Sequence, residues 1–198
     1  MSRKRGQLRI VSGQLRGRVL QTPPGDTTRP TRELVRKGLF DRLGGRVGDS
    51  AVLDLFAGSG ALGIEALSRG ARETVFAESN RLCVALLRRN VQALGLESRS
   101  TVLAIDVWAA HHHLPRNACF DLVFADPPWK TWGNPLERAR LLDLLRQLER
   151  ARFLAPEALC CIESPADAVL SQEELPWTAT LQARVWGRTR MSFIQRVC

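Results

Sequence analysis

The residues of this sequence that can do chemistry stand at the ends of its apolar runs, and most of them are acidic. The chain has 20 acidic residues among 198. One acidic residue falls near the end of each of four apolar runs: Asp54 in VLDLFAG, Glu78 in TVFAES, Asp106 in VLAID and Asp126 in LVFAD. If these runs are neighbouring parallel strands, their carboxyl ends meet at one edge of a sheet, where open α/β sheets bind ligands. The pattern therefore predicts a site that presents carboxylates to its ligand.

The first of these runs leads into GSGALG at Gly58–Gly63, which has the G-x-G-x-x-G spacing of a nucleotide-binding turn. Glycines there permit a tight turn and the close approach of a ligand to the backbone. A dinucleotide oxidoreductase would also explain this turn, because Glu78 follows at the distance expected of a ribose-binding acid. However, Asp54 would repel a pyrophosphate and attract a ligand that carries an ammonium and a sulfonium. This charge favours S-adenosylmethionine.

The sequence Asp126-Pro127-Pro128-Trp129 predicts a site that methylates an amine. The lone pair of an exocyclic amine on a nucleobase is delocalised into the ring, so the amine is a poor nucleophile. Two acceptors for its N–H groups, the Asp126 carboxylate and the Pro127 carbonyl held stiffly by Pro128, would favour a pyramidal nitrogen aimed at the methyl group. We expect Trp129 to stack on the base.

The same cofactor gives a role to the remaining strand-end acid. We expect Asp106 to accept a hydrogen bond from the adenine amino group and Val107 to supply a backbone donor. Capping of a following helix is the competing interpretation for Asp106, and a similar cap-like role is the competing interpretation for Glu78. His111, His112 and His113 are adjacent, so they cannot all face one point, and we expect an exposed loop or helix start there without a metal.

Strands and helices alternate from Ser50 onward. The predicted strands are 51–56, 73–78, 101–105, 120–125 and 158–163, and the predicted helices are 62–69, 81–94 and 136–153, with a short helical turn after 105. Two final strands, 180–186 and 190–197, are expected to form an antiparallel hairpin. This order predicts an α/β fold with a doubly wound, mostly parallel sheet.

The first quarter of the chain is strongly basic. Residues 1–49 hold 12 Lys/Arg and 4 Asp/Glu, whereas residues 50–198 hold 17 and 16. Such a segment is typical of proteins that bind a polyanion, although a solvated basic tail remains the alternative. The segment QLRIVSGQLRGRVLQTP predicts a hairpin with exposed arginines, among them Arg16 and Arg18. A helix with Leu34 in its apolar stripe is expected to follow, with Thr31 as its N-cap. We therefore divide the chain into a basic extension, 1–49, and a catalytic domain, 50–198.

Composition excludes several classes of protein. No apolar stretch approaches the ~20 residues of a membrane span, and the basic start leads into no apolar signal region. Five scattered cysteines without a C-x-x-C pair argue against a disulfide framework and a zinc site. We expect a cytoplasmic protein.

Three stretches together resemble one known family. RIVSGQLRGRVL, RPTRELVRKGLF and LDLFAGSGALGIEALSRGA are similar to those of the bacterial ribosomal RNA small subunit methyltransferase D family, which methylates guanine N2 in 16S ribosomal RNA. The D-P-P-aromatic motif also resembles that of methyltransferases acting on adenine N6 or glutamine. This chain departs from the family at Leu34, where an arginine is usual, and at Trp129, where phenylalanine is common.

The resemblance implies a Rossmann-like class I fold with a seven-stranded sheet, S-adenosylmethionine as methyl donor, and a guanine presented by an assembled or assembling 30S subunit. It implies that the N-terminal hairpin contacts RNA. We expect the protein to be a monomer. The implied cofactor residues are Asp54, Phe56, Gly58, Ser59, Gly60, Glu78, Asp106 and Val107. The implied catalytic residues are Asp126, Pro127, Pro128 and Trp129. We expect the substrate to contact Arg16, Arg18, Arg29, Thr31 and Trp129.

Two further functions remain open at this stage. A DNA adenine-N6 methyltransferase would use the same D-P-P-W motif, although about 49 residues before the core leave little room for a target-recognition domain. A non-enzymatic RNA-binding module would explain the basic extension but not the acids at the strand ends.

Overall fold

A computed structural model describes residues 8–23, 30–175 and 177–197 of the chain. Its centre is a seven-stranded sheet with the order β5-β4-β3-β6-β7-β9-β8. The strands are β3 (Ala51–Leu55), β4 (Glu73–Glu78), β5 (Ser100–Ala104), β6 (Phe120–Ala125), β7 (Leu154–Pro165), β8 (Ala179–Trp186) and β9 (Thr189–Arg196). The pairs among β5, β4, β3, β6 and β7 are parallel, whereas β9 pairs antiparallel with both β7 and β8. The predicted mostly parallel sheet with an antiparallel C-terminal hairpin is confirmed.

Within the described residues, four α-helices cover this sheet: α1 (Pro30–Leu43), α2 (Ala61–Ser68), α3 (Arg81–Ala93) and α4 (Pro135–Arg150). Short 3-10 helices lie in several of the connections; the longest is Val107–His112, which is kinked at Ala109. Asn134 begins α4, since its side chain accepts a hydrogen bond from the Leu136 N–H, and a proline follows at the first helical position. A proline is favourable there because its missing N–H would have no helical partner in any case.

The two faces of the sheet bury different helices. In β3, Ala51, Leu53 and Leu55 face the apolar layer under α4, whereas Val52 faces the layer under α1, α2 and α3. Alternate residues of a strand point to opposite faces, so a strand buried on both sides is apolar at nearly every position. Asp54 is the exception in β3, and its burial among apolar residues marks it for a specific role.

The basic extension forms a short hairpin and α1. Strands β1 (Leu8–Arg9) and β2 (Val19–Leu20) pair antiparallel, with Leu8 opposite Leu20. The predicted hairpin is therefore present, but its paired segment is shorter than the runs 8–12 and 18–21. Leu8 and Leu20 belong to the same apolar layer as α1, α2 and α3. Apolar packing thus attaches the hairpin to the sheet and its helices.

Two predictions about α1 are wrong. The helix begins at Pro30, so Thr31 is already helical and is not the N-cap. Leu34 is 55% exposed, whereas Val35 and Leu39 are buried. Residues four apart lie on one side of a helix, so Val35 and Leu39 form the buried side and Leu34 is turned toward solvent. No helix within the described residues is long and apolar enough to span a membrane.

Candidate cofactor and substrate cleft

The carboxyl ends of four neighbouring parallel strands carry the four acids singled out above. Asp54 lies near the end of β3, Glu78 ends β4, and Asp106 and Asp126 follow β5 and β6. The order β5-β4-β3-β6 places these ends side by side along one edge of the sheet. The strand order reverses at β3, because the chain continues to β4 and β5 on one side of β3 and to β6 and β7 on the other. Open α/β sheets bind ligands at the carboxyl ends of the strands where the order reverses.

A strained turn connects β3 to α2 at this edge. Phe56 has a positive φ of 59°, and Gly58 and Gly60 follow with φ of 56° and 85°. A Cβ on Gly60 would lie 2.4 Å from a methyl carbon of Leu87, so any other residue would displace that side chain, and the positive φ also favours glycine there. A bulky residue at positive φ, such as Phe56, is uncommon and is typical of functional sites.

The buried Asp54 side chain binds the backbone where this turn enters α2. Its Oδ2 accepts a hydrogen bond of 2.8 Å from the Gly63 N–H, and the residue is only 2% exposed. Burial raises the pKa of Asp54 to about 7, and the neighbouring charges of Asp126 and Glu78 act in the same direction, against the opposing effect of the Gly63 hydrogen bond. The carboxylates therefore repel one another, and a cation bound among them would favour their ionised forms.

Glu78 connects β4 to the same turn. Its Oε2 accepts a hydrogen bond from the Gly58 N–H at 2.8 Å, and its Oε1 accepts one from the Asn80 N–H at 2.7 Å. The cap of α3 is Asn80 itself, whose side chain accepts from the N–H groups of Leu82 and Cys83. Glu78 thus does not act as the side-chain cap of α3, although it orders the backbone just before it.

Asp106 is exposed and caps the 3-10 turn that follows β5. Its Oδ1 accepts a hydrogen bond from the Trp108 N–H at 3.2 Å, and its Oδ2 lies 3.6 Å from the Arg140 guanidinium. Capping, the interpretation that competed with adenine binding, is therefore present in the structure. The Val107 side chain is buried, so this residue can offer a ligand only its backbone.

An aromatic cluster beside Asp106 was not anticipated from the sequence. The rings of Phe56 and Trp108 meet edge to face with centroids 5.0 Å apart, and the Arg140 guanidinium lies 4.8 Å from the centre of the Trp108 ring. These residues come from three separate elements. Nothing in their sequence spacing brings them together.

The D-P-P-W segment follows β6 directly. The Asp126 N–H is 3.4 Å from the Leu55 carbonyl at the end of β3, and the Asp126 side chain is partly buried. Pro127 is buried and Pro128 is exposed. Trp129 begins a 3-10 turn and remains 41% exposed, with the Arg188 guanidinium 5.9 Å from its ring centre. The segment therefore places an acid at the sheet edge and an aromatic ring at the surface.

A cleft of about 160 Å³ joins the glycine turn to the D-P-P-W segment. Phe56, Gly58, Ser59 and Asp126 line it together. The other side of the cleft comes from Glu163 of β7 and from the basic extension, through Leu8, Val35 and Arg36. The sequence predicted the first group but missed Arg36 and Glu163. Glu163 ends the predicted strand 158–163, so the strand-end pattern that found the other acids could have found it. Arg36 is one of several charged residues of a helix and gave no such signal.

Buried polar groups attach the basic extension to the core behind this cleft. Glu65 of α2 is fully buried and accepts hydrogen bonds from the N–H groups of Val11 at 2.8 Å and Ser12 at 3.0 Å. It also pairs with Arg69 at 2.8 Å and with Arg36 at 3.5 Å. The one signal for Glu65 in the sequence is its charge within the apolar run ALGIEALS.

A second polar connection involves Asn90 of α3. Its side-chain nitrogen donates to the carbonyls of Gln21 and Ser59, and its oxygen accepts from the Gln21 N–H at 2.8 Å. Ser59 belongs to the glycine turn and is buried. The extension and the turn are thus held by the same amide.

The predicted RNA-contacting residues are only partly described. Arg16 and Arg18 are both exposed on the loop of the hairpin, and Arg18 also donates a hydrogen bond of 3.4 Å to the Ala93 carbonyl. Arg29 lies outside the described residues, and Thr31 is described only as part of α1. The exposed pair leaves a positive surface on the loop.

The three histidines lie at the end of the 3-10 turn, where His112 and His113 are exposed and His111 is partly buried. Burial and the neighbouring His112 lower the pKa of His111. Within the described parts of the chain, no group of three or more His, Cys, Asp or Glu residues is arranged to hold a metal ion.

Comparisons with known proteins agree with this fold. The chain is 35% identical to the ribosomal RNA small subunit methyltransferase D of Escherichia coli over 192 residues, which is 96% of this chain and 91% of that protein. It superposes on the structure of the putative methyltransferase yhhF from Escherichia coli with a TM-score of 0.80 and 34% identity, covering 97% of this chain and 99% of that one.

A more distant structure shares only the fold. It is the Thermus thermophilus 16S rRNA N2 G1207 methyltransferase RsmC, in complex with AdoMet and guanosine. The TM-score is 0.67 and the identity is 24%, with 92% of this chain and 46% of that chain covered.

The sheet order and these neighbours define the class of the protein, which has the Rossmann-like fold of class I S-adenosylmethionine-dependent methyltransferases. More narrowly, the chain belongs to the ribosomal RNA small subunit methyltransferase D family; the matching family model is described as conserved hypothetical protein 95 and spans residues 8–195.

Proposed function

We propose that this protein transfers a methyl group from S-adenosylmethionine to the exocyclic N2 amine of a guanine in 16S ribosomal RNA, in the cytoplasm. The observation that carries this proposal is the cleft itself, in which Asp126 of the D-P-P-W segment lines the same space as Phe56, Gly58 and Ser59 of the glycine turn. A cofactor at the turn would therefore lie next to an acceptor for an amine. The relatedness to ribosomal RNA small subunit methyltransferase D supports the choice of substrate.

The charges in and beside the cleft fit the proposed methyl donor. Asp54, Glu78 and Asp126 lie close enough for the latter two to raise the pKa of the first. S-adenosylmethionine carries an ammonium and a sulfonium, and bringing positive charge among these carboxylates offsets their mutual repulsion. When bound, the cofactor supplies an electrophilic methyl group. Glu78 and Asp106 would hold its ribose and adenine, with the Phe56–Trp108 pair beside them.

The D-P-P-W segment would prepare the amine. Asp126 and the Pro127 carbonyl would accept hydrogen bonds from the two N–H groups of N2, which directs the nitrogen lone pair toward the methyl group. The exposed ring of Trp129 offers a surface on which a guanine can stack. The proton that leaves the methylated amine would pass to Asp126 or to water.

The basic extension would bind the RNA backbone. Arg16 and Arg18 are exposed on the hairpin loop, and the hairpin is fastened to the core beside the cleft by Glu65 and Asn90. Phosphates bound there would therefore keep a fixed distance from the active site. We propose the small ribosomal subunit, assembled or assembling, as the particle that presents this RNA.

Incubation with radiolabelled S-adenosylmethionine tests the proposal. The substrates are 30S particles lacking methylation, free 16S RNA and double-stranded DNA, each digested to nucleosides after the reaction. We expect label in N2-methylguanosine from 30S particles or 16S RNA. Label in N6-methyladenosine would contradict the guanine specificity, and label in DNA alone would contradict the RNA substrate.

The Asp126→Ala variant is the matched control for this assay. Label that persists at the wild-type rate in this variant would assign the activity to a contaminating enzyme or to another site. Absence of transfer by the wild-type protein to all three substrates would contradict the proposed activity.

A further inference from the structure

Arg36 of α1 brings a positive charge to a cleft whose other charged lining residues are acidic. Asp126 and Glu163 are the acidic residues that line the cleft, and Arg36 is its one basic residue within the described parts of the chain. Arg36 is only 4% exposed. A guanidinium is costly to bury unless its charge and its N–H groups are matched by partners.

The partners of Arg36 within the protein leave part of this requirement unmet. One Nη donates a hydrogen bond to the Arg9 carbonyl. The buried Nε lies 3.5 Å from a Glu65 carboxylate oxygen, and among the described residues it makes no hydrogen bond. Burial lowers the pKa of Arg36, against the opposing effect of the Glu65 charge. An incompletely paired cation that borders a cleft is a candidate for binding an anionic group of a ligand.

The proposed cofactor has one such group. Its methionyl part carries an ammonium and a sulfonium, which suit the carboxylates, and a carboxylate, which the same acids would repel. We propose that Arg36 binds the methionyl carboxylate of S-adenosylmethionine; this inference rests on the proposed function. A guanidinium suits the task because its parallel N–H groups match the two oxygens of a carboxylate.

Glu65 would position Arg36 for this contact. It pairs with Arg36 and also accepts hydrogen bonds from Val11 and Ser12, which precede the hairpin loop. The orientation of Arg36 therefore depends on the docking of the basic extension. By this inference the extension is part of the cofactor site as well as of the RNA surface.

A pair of ligands that differ only in the carboxylate tests this contact. Decarboxylated S-adenosylmethionine keeps the ammonium and the sulfonium and lacks the carboxylate. Calorimetry would measure the Kd of both ligands with the full chain. We expect the Arg36→Gln variant to bind S-adenosylmethionine about 10- to 100-fold more weakly, as for other hydrogen bonds between charged groups, and the decarboxylated ligand within about twofold of the wild type.

Arg69→Gln is the matched control. Arg69 pairs with the same Glu65 at 2.8 Å, but its guanidinium lies over the Phe40 ring, 4.8 Å from the centre. Because the variant disturbs the network without removing the cleft cation, it should change the Kd of both ligands by the same factor. Equal losses for both ligands in Arg36→Gln would assign Arg36 a structural role and overturn the proposal.

The wild-type protein gives an independent answer if Arg36→Gln does not fold. A wild-type Kd that is the same for both ligands would overturn the carboxylate contact. That result would leave the proposed function intact. A wild-type protein that binds neither ligand nor S-adenosylhomocysteine would instead contradict the proposed function, and the inference with it.

Discussion

Replacing Glu65 with glutamine removes the charge that joins the basic extension to the core while keeping the shape of the side chain. The carboxylate is fully buried. It accepts hydrogen bonds from the N–H groups of Val11 and Ser12 and from the Arg69 guanidinium, and it forms an ion pair with the Arg36 guanidinium. In the variant, one oxygen becomes an NH₂ group, which is a donor. That donor must face at least one of the groups that formerly donated to the oxygen.

The loss of stability is large because the site is buried. Removing one partner of a buried ion pair costs about 3 to 5 kcal/mol, since the remaining charge has neither water nor counter-charge. Arg36, at 4% exposed, comes close to that condition, because it loses the stronger of its two counter-charges and keeps only the influence of Glu33. For a chain of this length, each kcal/mol lowers the Tm by about 2 to 4 °C, so we expect a decrease of about 10 °C.

Urea unfolding at equilibrium, followed by circular dichroism, measures the change in the free energy of unfolding. Hydrogen exchange provides a local readout, because the Val11 and Ser12 amides should lose protection in the variant before the central strands do. The matched control is Asp41→Asn, which breaks the exposed pair of Lys37 and Asp41. Exposed pairs contribute about 0 to 1 kcal/mol.

A free energy of unfolding within about 1 kcal/mol of the wild type would refute the reasoning. Such a result would mean that water or a shifted backbone satisfies the Val11, Ser12 and Arg69 donors and the Arg36 charge as well as Glu65 does. A large loss in Asp41→Asn would likewise contradict the argument, because it would make burial irrelevant to the cost.

Four other predictions follow from the same structure. Asp126→Ala should bind S-adenosylmethionine normally in calorimetry and lose methyl transfer; near-normal turnover would contradict the role of the acid. Replacing both Arg16 and Arg18 with Glu should weaken binding to ribosomal particles and reduce the slope of log K against log salt concentration by about 1 to 2. An unchanged slope would indicate that these arginines face solvent and do not contact RNA phosphates. The pKa of Asp54, about 7, exceeds its unfolded value, so between these two values the native state holds a proton that the unfolded chain releases. The contribution of Asp54 to stability therefore falls as the pH rises from about 4 to 7. Asp54→Asn should remove that part of the pH dependence in urea titrations, and identical pH profiles for the variant and the wild type would exclude the raised pKa. Gly13→Ala should lower the free energy of unfolding by about 1 to 3 kcal/mol, the usual cost of overpacking. The reason is that φ of Gly13 is 82° and the added Cβ would lie 1.9 Å from the backbone oxygen of Ser68 at the end of α2. A variant as stable as the wild type would show that the hairpin loop can move away from α2.

Some of the fold was readable from local patterns. β4 and β6 were predicted with their observed bounds, because each is a compact apolar run ended by an acid and turn residues. β7 was predicted as 158–163 but runs from Leu154 to Pro165. Its added residues include two prolines and a glutamate, which disfavour a strand locally. Pairing with β6 and β9 extends the strand despite those preferences.

The candidate site likewise contains residues that local sequence patterns predicted and residues that only tertiary packing brings there. The acids at the strand ends and the glycine turn are local features, so their spacing was enough to predict one shared edge. Arg36 and Glu163 reach that edge only through the packing of α1 and the position of β7, and Trp108 meets Phe56 across two loops. The roles assigned to all these residues in binding and catalysis stay predictions.

By itself, the sequence determined the alternation of strands and helices, the glycine turn, the D-P-P-W segment and the concentration of positive charge in the first quarter. Each of these depends on side-chain types within a few residues of one another. Only the tertiary structure decided that the basic extension closes one side of the cleft. That decision rests on Glu65, whose partners Val11 and Ser12 are more than 50 residues away in the chain. A buried carboxylate must find its donors wherever folding brings them, and no local pattern specifies which they are.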